Sequence, residues 1–147
     1  MKAIMRKINI ISRCCMQYRT DKVSNTELSA CHHSYIFAIS SSPGISQDEL
    51  AKNICVNKSN ITRNLAHLEA KGYVDRHPGE TDKRLINVYP TEKMLKILPR
   101  VKDAARNWNK YLTDGIDDKE MEIFQSVLET LAQRAKDYLE KGGAKEK

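Results

Sequence analysis

Two short apolar repeats, parted by a break of only a few residues, constrain this chain more than any other feature. Leu50, Ala51 and Ile54 recur at helical spacing after Ser46, and Ile61, Leu65 and Leu68 fall at i, i+4 and i+7 after Asn57. Ser46 stands three residues before Glu49, the spacing at which a hydroxyl and a carboxylate satisfy the first amides of a helix reciprocally. The pattern predicts one helix over about 47–53 and a second capped by Asn57. Cys55, four residues after Ala51, occupies a turn position where glycine is common because the backbone turns left-handed. Cysteine tolerates that poorly, so either the turn is built differently or strain is stored there.

Around the first turns of the second helix lie Lys58, Ser59, Asn60, Thr62, Arg63 and Asn64. No core needs that many donors, whereas the major groove of DNA offers base edges to hydroxyl, amide and guanidinium groups. Lys71-Gly72 closes this helix. Tyr73–Arg76 and Arg84–Tyr89 then read as paired strands around the polar loop 77–83. Two helices, a tight turn and a charged hairpin make a winged helix. The expected class is mainly α (α+β): a winged helix-turn-helix flanked by N- and C-terminal dimerisation helices.

The run ISQDELA, the segment NKSNITRNLAHLEAKGYVDR and the wing's Asp82-Lys83-Arg84, followed by Tyr89-Pro90-Thr91-Glu92-Lys93, resemble the MarR family of bacterial transcription regulators. That family carries Asp-x-Arg in the wing and a leucine-glutamate-x-lysine-glycine run, matched here by Leu68-Glu69-Ala70-Lys71-Gly72. The likeness spans the chain in order and length and is specific across 44–93. Ser34 stands where many members carry glutamine in the preceding helix. The resemblance implies a cytoplasmic, homodimeric DNA-binding regulator, commonly a repressor, whose DNA binding responds in many members to a small ligand.

The 147 residues suit one domain, read as dimerisation helices at 1–22 and 92–141, a DNA-binding module at 24–90 and a disordered tail at 142–147. Lys and Arg number 25 against 19 acids, a net +6 that permits nucleic-acid binding without proving it. Between 52 and 63 stand Lys52, Lys58 and Arg63 and no acid, so positive charge is local to the proposed contact helix. No apolar run is long enough to span a bilayer. Cys14, Cys15, Cys31 and Cys55 show no Cys-x-x-Cys spacing, so no zinc ribbon or thioredoxin-like site is written here.

Outside the module, Ile4, Ile8, Ile11, Cys15 and Tyr18 trace a helix over 2–19. Ser24 or Asn25 can cap the next, with Glu27 in its first turn and Leu28, Cys31, Tyr35 and Ile39 on one face, ending at Pro43-Gly44. Thr91 can cap a long helix that repeats through Met94, Leu98, Val101, Ala105, Trp108 and Leu112, with Pro99 inside the pattern removing one backbone donor, so that a kink and not necessarily a break is expected there. A last helix, about 117–141, carries Met121, Phe124, Leu128, Leu131, Ala135 and Tyr138. These seams have too little chain to cover them. A two-fold dimer of the first, fifth and sixth helices would bury them and present two recognition helices to a palindrome, and a monomeric bundle folded back on the module is the competing arrangement.

The DNA-contact candidates are Ser46, Lys52, Lys58, Ser59, Asn60, Thr62, Arg63, Asn64, Arg76, Lys83 and Arg84. Lysines suit phosphates and the short polar side chains and Arg63 suit bases. The resemblance implies that Asp82 orients Arg84 toward the minor groove or backbone. A purely structural Asp82–Arg84 pair remains open, as does an ordinary solvated face on the helix. Tyr35, Phe37, Trp108 and Tyr111 are candidates to line a pocket for an aromatic or lipophilic effector, and equally for plain core. Cys14 and Cys15, with Arg13 and Arg19 nearby, raise a redox-sensing alternative, and His32-His33 beside Cys31 a metal-sensing one. No His-x-x-x-His or carboxylate pair completes a metal set. An enzyme would need Cys31 to work with His32 or His33, yet no orienting motif accompanies them. No cofactor is expected. A winged helix that docks a protein is the remaining alternative.

Overall fold

A computed structural model describes residues 3–142, so the expected disorder of 143–147 and the start of the first helix at Lys2 lie outside the described residues. The chain divides into two compact units between Trp108 and Asn109. In order, the elements are α1 (Ile4–Lys22), α2 (His32–Ser41), β1 (Ile45–Ser46), α3 (Gln47–Ile54), α4 (Lys58–Ala70), β2 (Val74–Pro78), β3 (Ile86–Pro90), α5 (Glu92–Thr113) and α6 (Asp118–Glu140).

The helix-turn-helix forms for the reasons its residues suggest. Ser46 Oγ accepts from the Glu49 amide at 3.1 Å while the Glu49 carboxylate accepts from the Ser46 amide at 3.3 Å, a complete capping box. Asn57 Oδ1 caps α4 through the Asn60 amide at 2.8 Å. Leu50, Leu65 and Leu68 are wholly buried, and with Ile36, Ile39, Val88 and Met94 they build the core of the first unit. The turn does store strain. Cys55 adopts φ 53, ψ 50, the one non-glycine residue at positive φ among those described.

The wing is an antiparallel sheet of order β1-β3-β2, with Ile45 opposite Val88 and Arg76 also opposite Val88 from the other side. A two-residue strand such as β1 leaves no periodicity to read, and it was absent from the expected elements. At the loop, Gly79 donates to the Leu85 carbonyl at 2.8 Å. A Cβ on Gly79 would lie 2.5 Å from the Asp82 carbonyl oxygen, so only glycine allows so close a backbone approach.

One expected element is displaced. The second helix begins at His32, not near Asn25, and Leu28 lies outside it. Thr26 Oγ1 donates to the Val23 carbonyl at 2.7 Å and accepts from the Leu28 amide at 3.1 Å. Such local side-chain bonds compete with helical ones, and Val23, Leu28 and Ala30 are buried by the irregular path that results.

α5 runs through Pro99 without a break, capped by Thr91, whose Oγ1 accepts from the Met94 amide at 3.3 Å. In the second unit, Asp117 caps α6. Neither α1 nor α6 contains a buried residue, and Ile123, Phe124, Val127 and Leu139 on α6 are each more than half exposed.

His33 is fully buried and neither ring nitrogen has a hydrogen-bond partner among the described residues. Burial, then the charges of Arg19 and His32, push its pKa down to about 4. Above pH 6.5 the ring is neutral whether the chain is folded or not, and the cost is nil. As pH falls from 6.5 toward 4 the unfolded chain takes the proton first, which removes up to about 3 kcal/mol of stability. Urea unfolding at pH 7 and pH 5 should show His33→Leu losing about 2 kcal/mol less than wild type between the two; equal losses would refute this role for His33.

Candidate nucleic-acid interface

α4 is divided sharply along its length. Ile61, Leu65 and Leu68 are at most 1% exposed, while Lys58, Ser59, Thr62 and Arg63 on the opposite face are exposed. Asn60 lies at the edge of that face, and its Oδ1 accepts from the Arg63 guanidinium. The pair fixes an otherwise flexible side chain, so less rotamer freedom remains to be lost on contact. The Thr62 hydroxyl donates back to the Lys58 carbonyl at 3.0 Å, so its oxygen is left to accept from a partner. Lys58 lies 3.6 Å from Asp48, both largely exposed, a contact of little energetic weight that a phosphate can replace. Lys52 is exposed in the last turn of α3.

In the wing, Arg84 donates from Nε and an Nη to the two oxygens of Asp82 at 3.0 and 3.1 Å, and Asp82 Oδ1 also accepts from the Arg84 amide at 3.1 Å. The Arg84 bonds hold the Asp82 carboxyl below its ordinary range and raise the guanidinium. The Arg84 side chain is 90% exposed, so the fork is shaped within the loop yet faces outward. Lys83 is exposed beside it.

Three of the expected contact residues are engaged inside the protein. The Ser46 hydroxyl is buried in the α3 cap. Arg76 pairs with Glu69 at 3.0 Å, donates to Gln47 Oε1 at 3.3 Å and keeps a side chain only 21% exposed. It fastens β2 to α4 and α3, and the pairing lowers the Glu69 carboxyl. Asn64 is half-buried, donating to the Asn60 carbonyl at 2.9 Å and meeting His32 Nε2 at 3.1 Å.

Residue type alone could not mark these three as internal, because each partner comes from elsewhere in the chain or from the cap. Glu27 and Lys93 were read from the sequence as parts of helix starts and not as members of the site. The Glu27 carboxylate accepts from Tyr73 at 2.9 Å and from Lys93 at 3.2 Å, and Lys93 also donates to the Lys71 carbonyl at 2.8 Å at the end of α4. A bond from its own backbone amide, then Tyr73 and Lys93, hold Glu27 at about 2, and burial, then Glu27, pushes Tyr73 up to about 12.

Tyr35 is core, its hydroxyl 3.5 Å from the Asn60 carbonyl, and burial above all raises its pKa. Phe37 packs against the core, Trp108 stacks on Tyr18 at 4.8 Å, and Tyr111 is exposed. Cys14 is exposed, Cys15 half-buried, and both are reduced. Among the described residues no three His, Cys, Asp or Glu side chains form a group that could hold a metal, and no helix is long and apolar enough to cross a membrane.

Comparison with known proteins finds a match to the MarR family model over residues 28–86. The HTH-type transcriptional regulator YybA of Bacillus subtilis is 26% identical over 99% of each chain. Among solved structures, a MarR transcriptional regulator from Methanosarcina mazei Go1 is 25% identical, with a TM-score of 0.82 over 90% of this chain and 95% of that one. A MarR family regulator from Listeria monocytogenes, solved with a 26mer DNA, is 21% identical and superimposes with a TM-score of 0.92 over the full length of both.

Proposed function

We propose that this chain, which belongs to the MarR family and is a transcriptional regulator with a DNA-binding fold, binds a pseudo-palindromic operator as a homodimer in the cytoplasm and represses by occluding the promoter. The observation that carries the reading is the division of α4 into a sealed apolar face and an outward face of Lys58, Ser59, Thr62 and Arg63. On that arrangement Ser59, Thr62 and Arg63, with Asn60 at the edge, read base edges. Lys52, Lys58 and Lys83 neutralise phosphates, and Arg84 enters the minor groove or lies along the backbone. The DNA complex of the Listeria relative supports this use of the fold. Ser46, Arg76 and Asn64 support the frame from within.

The dimer is supported by α1 and α6, in which no residue is fully buried and which expose Ile4, Ile11, Phe124 and Val127. Apolar helix faces left exposed in this way mark interaction surfaces. A small aromatic or lipophilic effector is the ligand class that would modulate DNA binding. Tyr35 is held in the core, so Phe37 and Trp108 of the first unit, or Tyr111 of the second, remain candidate contacts.

The test is Arg63→Ala against a duplex selected from a randomised pool. Specific affinity should fall by about 1 to 3 kcal/mol with relaxed preference at one base pair, while a salt titration keeps its slope. Unchanged affinity and preference would remove Arg63 from base reading, and a mutant that loses only salt slope would make it a phosphate contact.

A further inference from the structure

A relay of polar groups joins the loop before α2 to the recognition helix, and its direction is fixed at both ends. At one end the Ser29 backbone N–H, which can only donate, lies 3.0 Å from His32 Nδ1. At the other the Asn60 carbonyl oxygen, which can only accept, takes a hydrogen from Asn64 Nδ2 at 2.9 Å. Nδ1 is therefore bare, the proton of the neutral ring sits on Nε2, and that nitrogen donates to Asn64 Oδ1 at 3.1 Å.

We propose that His32, in its neutral Nε2–H form, is a positioning residue for DNA reading: it holds Asn64, and through it the exposed first turns of α4, in the orientation that presents Ser59, Thr62 and Arg63 to the duplex. The inference rests on the DNA-binding function proposed above. Asn64 belongs to the same helix as those residues, and its carboxamide ties two turns of that helix to a loop otherwise remote in sequence.

The clamp works in one protonation state. A second proton would go to Nδ1, opposite the Ser29 amide, and set two donors against each other. The surroundings disfavour it further. His67, from α4, stacks on His32 at 5.3 Å and 16°, and its Nε2 donates to the Glu27 carbonyl at 2.9 Å. From the loop, the Ser29 hydroxyl lies 3.3 Å from Nδ1, and the Cys31 thiol reaches Asn64 Oδ1 at 3.8 Å. Tyr35 meets the ring edge-on at 6.1 Å, and His33 follows in the chain with Arg19 of α1 acting on it. The Glu27 carboxylate is taken up by Tyr73 and Lys93. Burial lowers the affinity of His32 for a proton; the Asn64 bond opposes this and His67 adds to it. A histidine depressed in this way keeps its neutral contacts at pH 6.5 and below, and loses them only as pH falls through its own lowered value.

The experiment uses the full chain and a duplex it selects from a randomised pool at pH 7.5. Affinity is followed by fluorescence anisotropy from pH 7.5 downward at fixed ionic strength, over the range in which circular dichroism shows that the fold persists, and long-range 1H–15N spectra identify the histidine tautomers and the pH at which His32 takes its second proton. His32 should show the Nε2–H tautomer at pH 7.5, and wild-type affinity should fall about tenfold as the ring takes its second proton, the scale of one lost hydrogen bond in a closed site. His32→Gln, which cannot take the proton, should bind more weakly at pH 7.5 and change less than about threefold across the range. An Nδ1–H tautomer, a flat or rising wild-type profile, or a His32→Gln profile parallel to wild type would each overturn the positioning role alone. Failure of the wild type to select any duplex at pH 7.5 would overturn the DNA-binding function and this role with it.

Discussion

Phe124→Asp is expected to convert the protein from a dimer to a monomer in sedimentation experiments and to lower its affinity for a full operator by about a hundredfold or more. Phe124 is 52% exposed on α6, with Val127 and Ile123 exposed beside it, so a carboxylate there meets solvent in an isolated protomer and leaves its fold intact. In a dimer the same carboxylate would be desolvated against apolar partners without a counter-charge, a cost of several kcal/mol. The loss at the operator follows because two linked α4 helices bind the second half-site at an effective concentration in the millimolar range. Leu131 on the same seam is half-buried already, so a charge there would mix the protomer's stability with its association. A Phe124→Asp protein that still sediments as a dimer would contradict the assignment of α6 to the interface.

Leu65→Ala is the second large effect. Leu65 is wholly buried on the inner face of α4, within a core that includes Ile36, Ile39, Leu50 and Val88. Truncation removes the transfer energy of the lost carbons and leaves a cavity that neighbouring helices close only in part. Together these cost roughly 3 to 5 kcal/mol. At about 3 °C per kcal/mol for a chain of this size, the melting temperature should fall by about 10 °C. DNA affinity measured well below the new midpoint should change little, because the outward face is untouched. A shift below about 3 °C would show that Leu65 does not hold α4 in the core.

What the sequence made legible was local. The Ser46–Glu49 box, the Asn57 cap, the apolar spacing of Ile61, Leu65 and Leu68, and the existence of the long helices α5 and α6 are each written within a few residues, and the structure places them as read. Features that depend on distant partners were not legible. β1 exists because Ile45 finds Val88, and α2 starts late because Thr26 bonds its own loop while Val23 and Leu28 enter the core. The same distinction runs through the contact face. Lys58, Ser59, Thr62 and Arg63 stand outward because helical spacing puts them opposite the buried stripe. Arg76 looked equally available until Glu69 and Gln47 were seen to hold it, and Asn64 until His32 did. Cys55 was flagged by its position in the turn, and the left-handed backbone there bears out the stored strain.

The account turns on α4 entering the major groove twice, once from each protomer. Methylation interference on a duplex selected by the wild-type protein tests this directly, because guanine N7 faces the major groove. Two clusters of interfering guanines, about 10 base pairs apart from centre to centre and related by a dyad, are the expected result. A single cluster, or protection confined to the minor groove, would contradict it.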